Sequence, residues 1–143
     1  DQGKLGEAEP MFQRALQGYE KALGAEHTFT LGTVNNLGNL YWDQRKLGDA
    51  EQMFQRALQG YEKALGAEHT STLLAVNNLG VLYWDQGKLG EAEQMYQRAL
   101  QGYEKALGAE HTSTLGTVNN LGVLYRAQGK LGEAEQMFQR ARR

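Results

Sequence analysis

The chain is built from one 42-residue unit that occurs three times in succession and then begins again. Residues 43–84 and 85–126 are nearly identical, residues 1–42 are a further copy, and residues 127–143 repeat the start of the unit. A fixed period of this length is typical of a solenoid, in which each unit buries its apolar face by stacking on its neighbours. The period predicts one domain, residues 1–143, and places function on a surface that the units share.

Composition argues against several classes of function. The 143 residues carry 15 basic and 17 acidic side chains, for a net charge of −2, and basic residues cluster only at Arg140, Arg142 and Arg143. Nucleic acid is therefore not an expected partner. The sequence has no cysteine to form a disulfide or a thiolate metal site. No apolar run reaches the roughly 20 residues of a membrane span. We expect a soluble cytoplasmic protein without a membrane partner.

Each unit contains two apolar stripes separated by a turn. Apolar and small residues recur at three- and four-residue steps from Leu73 to Tyr83 and again from Leu89 to Leu107, a spacing typical of amphipathic helices. Between the stripes, Gly87 can take the positive φ of a tight turn. Over all copies the pattern predicts an all-α fold, an α-α superhelix of antiparallel helix pairs with about seven helices.

The loop after each second helix carries a histidine: His27, His69 and His111. Because equivalent positions in stacked helices lie about 10 Å apart, two of these imidazoles cannot share a zinc ion at roughly 2.0–2.1 Å. We interpret them as loop braces and expect Thr112 or Ser113 to cap the following helix. No phosphate-binding glycine loop and no acid-base constellation stands out. The sequence predicts no enzyme, no metal and no cofactor.

The chain begins and ends on a second helix in this scheme. The opening helix lacks the first helix that should cover it, so the face with Leu5, Ala8, Phe12 and Ala15 is expected to be partly bare. Pro10 removes an amide donor, and fraying or a kink is expected before it. The uncovered terminal helices are candidate surfaces for a homo-oligomer.

The unit resembles the tetratricopeptide repeat over the whole chain. In the copy from residue 73, the family's first-helix Leu-Gly and Tyr and its second-helix alanines and aromatic are matched by Leu79, Gly80, Tyr83, Ala92, Tyr96 and Ala99. Two departures are that the unit has 42 residues against about 34 in the ordinary repeat, and that Glu104 stands where the family has proline. Both helices are expected to be about one turn longer.

The long unit is similar to the repeats of kinesin light chains, which carry an Asn-Asn-Leu followed by a Glu-Lys-x-Leu-Gly-x-x-His stretch. Here these begin at Asn77 and at Glu104. Near-identical long units also resemble the C-terminal arrays of fungal nucleotide-binding, NLR-like receptors. By this resemblance, the first helices line a concave groove in which asparagine holds the backbone of a peptide. The implied residues are Asn35, Asn36, Asn77, Asn78, Asn119 and Asn120.

One asparagine of each pair could instead brace a neighbouring helix or loop. We favour the second asparagine of each pair for ligand contact.

Differences between the copies indicate the same face. The second-helix residues Glu93, Gln97, Gln101, Glu104 and Lys105 recur unchanged wherever a complete copy exists. The variable positions lie on the first helix and its edges: Gly32, Leu74 and Gly116; Thr33, Ala75 and Thr117; Asn39, Val81 and Val123; Trp42, Trp84 and Arg126; Asp43, Asp85 and Ala127. Variation confined to one face is interpreted as a surface adjusted for recognition.

Trp42 and Trp84 are candidate anchors, since a large rigid aromatic often dominates a binding surface. The alternative is packing between units, against which Arg126 argues at the matching position. The function predicted is a non-enzymatic module that binds a protein or peptide segment along the concave face. The alternative function is a structural or self-assembling scaffold with no dedicated ligand.

Overall fold

The computed structural model describes residues 2–142, and side chains from residue 6 onwards. That part of the chain is all α-helical, with short turns, which confirms the predicted class and number of helices. The helices are α1 (Gln2–Leu23), α2 (Thr28–Asp43), α3 (Leu47–Leu65), α4 (Thr70–Asp85), α5 (Leu89–Leu107), α6 (Thr112–Ala127) and α7 (Leu131–Arg142). We call α2, α4 and α6 the first-type helices, and the others second-type helices. No described helix is both long and apolar enough to cross a membrane.

The helices form two compact units, Asp1–Ala67 with α1 to α3 and Glu68–Arg143 with α4 to α7. The apolar core of the first unit contains Leu16 of α1, Val34 and Leu37 of α2, and Ala57 of α3. The prediction of one domain over residues 1–143 stays a prediction.

Glycines allow the two helices of each pair to approach closely. In the first unit, a Cβ added to Gly38 would stand 2.8 Å from the Phe54 ring, and one added to Gly60 would stand 2.3 Å from Leu31. Leu31, near the start of α2, therefore meets Gly60, near the end of α3, so the two helices are antiparallel. The close contact of Gly38 with an aromatic ring agrees with the predicted roles of the glycine and aromatic positions.

The turns inside the pairs have the expected glycine geometry with one exception. Gly87 and Gly129 have φ of 80° and 79°. In the first unit the matching residue is Arg45, which has φ of 62°. A side chain in this left-handed region costs roughly 1–2 kcal/mol. The first unit therefore carries backbone strain that the other copies avoid.

Arg45→Gly is expected to raise the free energy of unfolding by about 1 kcal/mol, because glycine relieves the left-handed strain but also gains freedom in the unfolded chain. Urea denaturation followed by circular dichroism measures the change. The reciprocal Gly87→Arg variant is the matched control, and it is expected to lose a similar amount. Equal stability of all three proteins would contradict the account.

Histidines cap the first-type helices. The Nδ1 atoms of His27, His69 and His111 each accept a hydrogen bond of 3.1 Å from the backbone N–H two residues later. The predicted cap at Thr112 or Ser113 is wrong because α6 begins at Thr112 and leaves His111 at the N-cap position. The side chain of Thr114 also ties the loop by donating to the carbonyl of Gly108 at 2.8 Å. The interpretation of the histidines as loop braces is confirmed.

The opening helix departs from the expectation at Pro10. α1 is a continuous helix from Gln2 through Pro10 to Leu23, so the structure does not show the predicted fraying before Pro10, while the alternative of a kink stays a prediction. Packing of Phe12 and Leu16 into the core of the first unit holds the helix, although proline removes one backbone hydrogen bond. Leu5 has no described side chain. The other residues of the predicted bare face, Ala8, Phe12 and Ala15, are half-buried, and Ala8 and Phe12 pack against the core of the first unit. Met11, which lies outside that face, is 67% exposed.

Candidate protein-interaction surface

Each first-type helix has one row of residues outside its buried core, although Val81 of α4 packs partly against that core. The row takes every third or fourth residue, which keeps it on one helical face, and none of its members is buried. We call these rows the open stripes. They consist of Gly32, Asn36, Asn39 and Asp43 on α2; Leu74, Asn78, Val81 and Asp85 on α4; and Gly116, Asn120, Val123 and Ala127 on α6.

The predicted asparagine pairs lie on or beside the open stripes. Of the second asparagines, Asn36 is exposed, while Asn78 and Asn120 are half-buried. Of the first asparagines, Asn35 and Asn77 are half-buried and Asn119 is exposed. The Oδ1 atom of Asn77 is buried, with no hydrogen-bond partner among the described atoms. The asparagine that is more exposed thus differs between the copies. The preference for the second asparagine as the ligand contact stays a prediction.

The positions of Trp42, Trp84 and Arg126 combine partial exposure with packing. The Trp42 ring meets Phe54 edge to face, with ring centroids 6.0 Å apart. Arg126 lies above the equivalent ring, with its guanidinium carbon 5.9 Å from the centroid of Phe138. Trp84 is half-buried against the core of the second unit. This position therefore braces a helix pair, and a guanidinium is tolerated there because it rests on an aromatic face.

One set of variable positions does not belong to the surface. Thr33, Ala75 and Thr117 are 7%, 2% and 2% exposed. The two threonines donate hydrogen bonds to the carbonyls of Phe29 and Ser113, four residues earlier in their helices. Their inclusion among surface differences is wrong, because the position faces the core and an alanine fits it equally well.

Leu74 is a feature that the sequence analysis named only as variable. Its side chain is 53% exposed on the open stripe of α4, seven residues before the half-buried Val81. The matching residues of α2 are Gly32 and Asn39. Among the residues of the three open stripes, Leu74 is the one large apolar side chain that is exposed. Together with Val81, two turns further along α4, it makes this stripe a candidate contact surface.

The unchanging polar residues of the second-type helices have partners on other helices. In the second unit Gln97 donates to the Tyr125 hydroxyl at 3.0 Å, and Glu93 pairs with Lys130 at 3.4 Å. The first unit repeats both contacts, with Gln13 to Tyr41 at 3.3 Å and Glu9 to Lys46 at 3.7 Å.

A second set of contacts joins consecutive second-type helices and the loops. Glu104 pairs with Arg140, and Glu20 pairs with Arg56 at 2.5 Å. Lys105 lies 3.4 Å from Glu68. We call these contacts, together with those made by Gln97, Glu93, Gln13 and Glu9, the polar clamps. They explain why Glu93, Gln97, Glu104 and Lys105 do not vary, a role that the sequence analysis missed.

The described side chains show no metal-binding cluster. No three His, Cys, Asp or Glu side chains from residue 6 to residue 142 are grouped so as to hold a metal ion. Burial raises the pKa of Tyr61 and Tyr103, and it raises the pKa of Tyr96 to about 12. The neutral form of these hydroxyls is therefore favoured where they pack.

A pocket of about 310 Å³ in the first unit lies away from the open stripe, with Leu31, Arg56, Gly60 and Lys63 in its wall. Its cationic side chains are already occupied, since Lys63 lies 3.5 Å from Glu26 and Arg56 is clamped to a glutamate of α1. The pocket follows from the close approach at Gly60 and carries no free charge for a ligand.

Antiparallel helix pairs that repeat with their glycine approaches and polar clamps define a helical-repeat protein. The chain belongs to the tetratricopeptide-repeat family, whose model matches residues 1–63, 29–105 and 71–143. No curated protein matches the chain significantly.

Solved structures share the fold. BtubC (BKLC) from P. vanneervenii is 27% identical, with a TM-score of 0.89 over 98% of this chain and 56% of its own. The putative kinesin light chain nearly identical TPR-like repeats of Podosopora anserina are 25% identical, with a TM-score of 0.82 over 99% of this chain and 67% of their own. Their Q17M form is 24% identical, with a TM-score of 0.85 and coverages of 98% and 66%. The chain thus spans between about half and two thirds of these relatives.

Proposed function

We propose that this protein is a non-enzymatic interaction module that binds a protein or peptide segment on the open stripes of its first-type helices. Tetratricopeptide repeats generally mediate protein–protein interaction or scaffolding, and the chain is of that family. The observation that carries the finer proposal is Leu74, a leucine 53% exposed on the open stripe of α4.

The contrast with the second-type helices supports the proposal. Four of their unchanging polar residues, Glu93, Gln97, Glu104 and Lys105, are engaged in the polar clamps, so the constancy of these four has a structural cause. The open stripes differ from copy to copy in polarity, from Gly32 and Asn39 on α2 to Leu74 and Val81 on α4. The open stripes contain no fully buried residue, and a face whose apolar content differs between copies suits recognition of a partner.

The test uses 15-residue peptides selected from a random phage-displayed library on the purified protein. The double variant Leu74→Gln with Val81→Asn is expected to weaken the selected peptides by at least about tenfold, because apolar contacts at the centre of a surface supply most affinity. Fluorescence anisotropy measures the affinity. Leu74 is exposed, but Val81 is half-buried against the core of the second unit, so the double variant is expected to lose about 1 kcal/mol of stability, which urea unfolding measures alongside the affinity.

Leu23→Gln is the matched control, since Leu23 is 43% exposed on α1, outside every open stripe. It should leave peptide affinity unchanged. If the control weakens the peptides and the α4 double variant does not, the open stripe of α4 is not the binding surface.

A second candidate function is self-association, which a separate apolar patch favours. Phe29 is 62% exposed and stands where the later copies have Ser71 and Ser113. Its ring lies 6.1 Å from that of Tyr19 on α1, which is 38% exposed. With Leu23 nearby in sequence at 43% exposure, these residues form the kind of apolar surface that invites a partner copy.

Sedimentation equilibrium over a wide concentration range tests this candidate. The apparent mass of the natural protein should rise with concentration, and the Phe29→Ser variant, which restores the residue of the other copies, should shift the rise to at least about tenfold higher concentration. Leu74→Gln serves as the control on a different face. A natural protein that stays monomeric throughout would exclude self-association as a function.

A further inference from the structure

The second unit has a pocket of about 220 Å³ between the end of α6 and the outer face of α7. Its apolar lining residues are Leu131, Ala134 and Phe138. Leu131 is 66% exposed. The polar lining residues are Arg126, Glu135, Gln139 and Arg142.

The same positions one copy earlier form a helix-binding surface. Leu89, Ala92 and Tyr96 of α5 pack in the core that also contains Val118, Leu121 and Leu124 of α6. The counterparts of Glu135 and Gln139 are the two residues of α5 that clamp Lys130 and Tyr125. Every lining residue of the pocket therefore has a counterpart that contacts α6 or the turn after it, or belongs to the core shared with α6, so the pocket has the layout of a groove for one helix.

Two of the seven lining positions differ in chemical class from the earlier copy, and both have changed from apolar to arginine. Arg126 stands where the earlier copy has Trp84, and Arg142 stands where it has Leu100, both members of the α5–α6 core. Arg126 rests on the Phe138 ring and is exposed. The only carboxylate in the lining, Glu135, accepts a hydrogen bond of 3.3 Å from Gln139. The groove therefore combines apolar side chains with two cationic groups and one carboxylate.

We propose that this face of α7 binds an amphipathic helix of a partner protein that carries carboxylates opposite Arg126 and Arg142. The apolar side of such a helix would cover Leu131 and Phe138, while its carboxylates would form charge-assisted hydrogen bonds with the guanidiniums. A further copy of the repeat fits less well, because its first-type helix presents apolar residues at this interface and would bury two arginines without partners. The site lies outside the open stripes and is independent of the proposed function.

The probe is a synthetic peptide with the sequence of residues 111–130, which contains α6 and the clamped Tyr125 and Lys130. A glutamate scan replaces each peptide residue in turn, and fluorescence anisotropy gives the affinity of each peptide for the whole protein. We expect glutamate at one or more positions to tighten binding by about tenfold relative to the unmodified peptide, and high salt to weaken this gain.

Two double variants test the role of the arginines. Arg126→Trp with Arg142→Leu restores the residues of the earlier copy and should prefer the unmodified peptide by about tenfold. Since that variant exposes apolar surface and is prone to aggregate, Arg126→Gln with Arg142→Gln is the second test, and it should lose the preference for glutamate while melting like the natural protein. Arg45→Gly removes an arginine in the first unit and should leave every affinity unchanged.

Three results would overturn the proposal. In the first, no glutamate position tightens binding to the natural protein. In the second, the unmodified peptide binds the natural protein as tightly as it binds the double variant Arg126→Trp with Arg142→Leu, which would make this face of α7 an ordinary stacking surface for another repeat. In the third, no peptide binds and the Trp and Leu variant merely aggregates, which would make the arginines a solubilising cover.

Discussion

Gly80→Val is expected to lower the free energy of unfolding by roughly 3 kcal/mol, the upper part of the range for an overpacked core. A Cβ at Gly80 would stand 2.8 Å from the Cε1 atom of Tyr96 and 3.3 Å from the Cβ of Met95. Tyr96 is only 1% exposed, so its rigid ring has no free space into which it can move. The helix pair must separate or the ring must leave its rotamer, and either change disrupts the core of the second unit.

The matched control is Gly116→Val, which makes the same substitution inside a first-type helix. No atom lies within 4 Å of a Cβ added at Gly116. Because valine has a slightly better helix propensity than glycine, this variant should be equal to the natural protein or more stable by up to about 0.5 kcal/mol. Urea unfolding followed by circular dichroism separates the two. Similar urea midpoints for both variants would show that the close approach of α5 to Gly80 does not limit the stability of this helix pair.

The local pattern of the sequence was sufficient for the helices and their turns. Apolar spacing defines amphipathic helices wherever it is sustained, and the turn glycines at Gly87 and Gly129 have the positive φ that their place between two stripes predicts. The histidine caps were missed because a hydroxyl residue is the usual choice at that position, while α6 begins at Thr112, one or two residues earlier than a cap at Thr112 or Ser113 implies.

The polar clamps were missed for a different reason. Their partners lie 28 to 37 residues apart in the chain, so no local window contains both. A signal was nevertheless present, since Glu93 and Lys130 belong to positions that keep opposite charges in every complete copy. Constancy among the second-type helices therefore reflects pairing. Variation on the open stripes indicates positions that core packing constrains less, since none of them is fully buried. Which of these residues contact a ligand depends on the side chains of the partner, which this sequence does not contain.

Trp84→Ala is expected to lower the free energy of unfolding by roughly 2 kcal/mol, less than a fully buried tryptophan because the side chain is half-exposed. The sequence alone predicts a recognition anchor whose removal leaves the melt nearly unchanged. The packing of Trp84 against the core that contains Tyr96 and Leu124 changes that expectation. A large aromatic at this place excludes water from the end of α4, and alanine would leave a cavity beside the Tyr96 ring.

Trp84→Phe is the control that separates packing from recognition. Phenylalanine keeps most of the apolar contact, so this variant should lose less than about 1 kcal/mol. If affinity for the library-selected peptides falls in both variants while only Trp84→Ala loses stability, the indole also contacts the ligand. If affinity falls only with stability, Trp84 acts through the fold. An unchanged melt in Trp84→Ala would contradict the packing role, since a residue that braces α4 against α5 cannot be removed without cost.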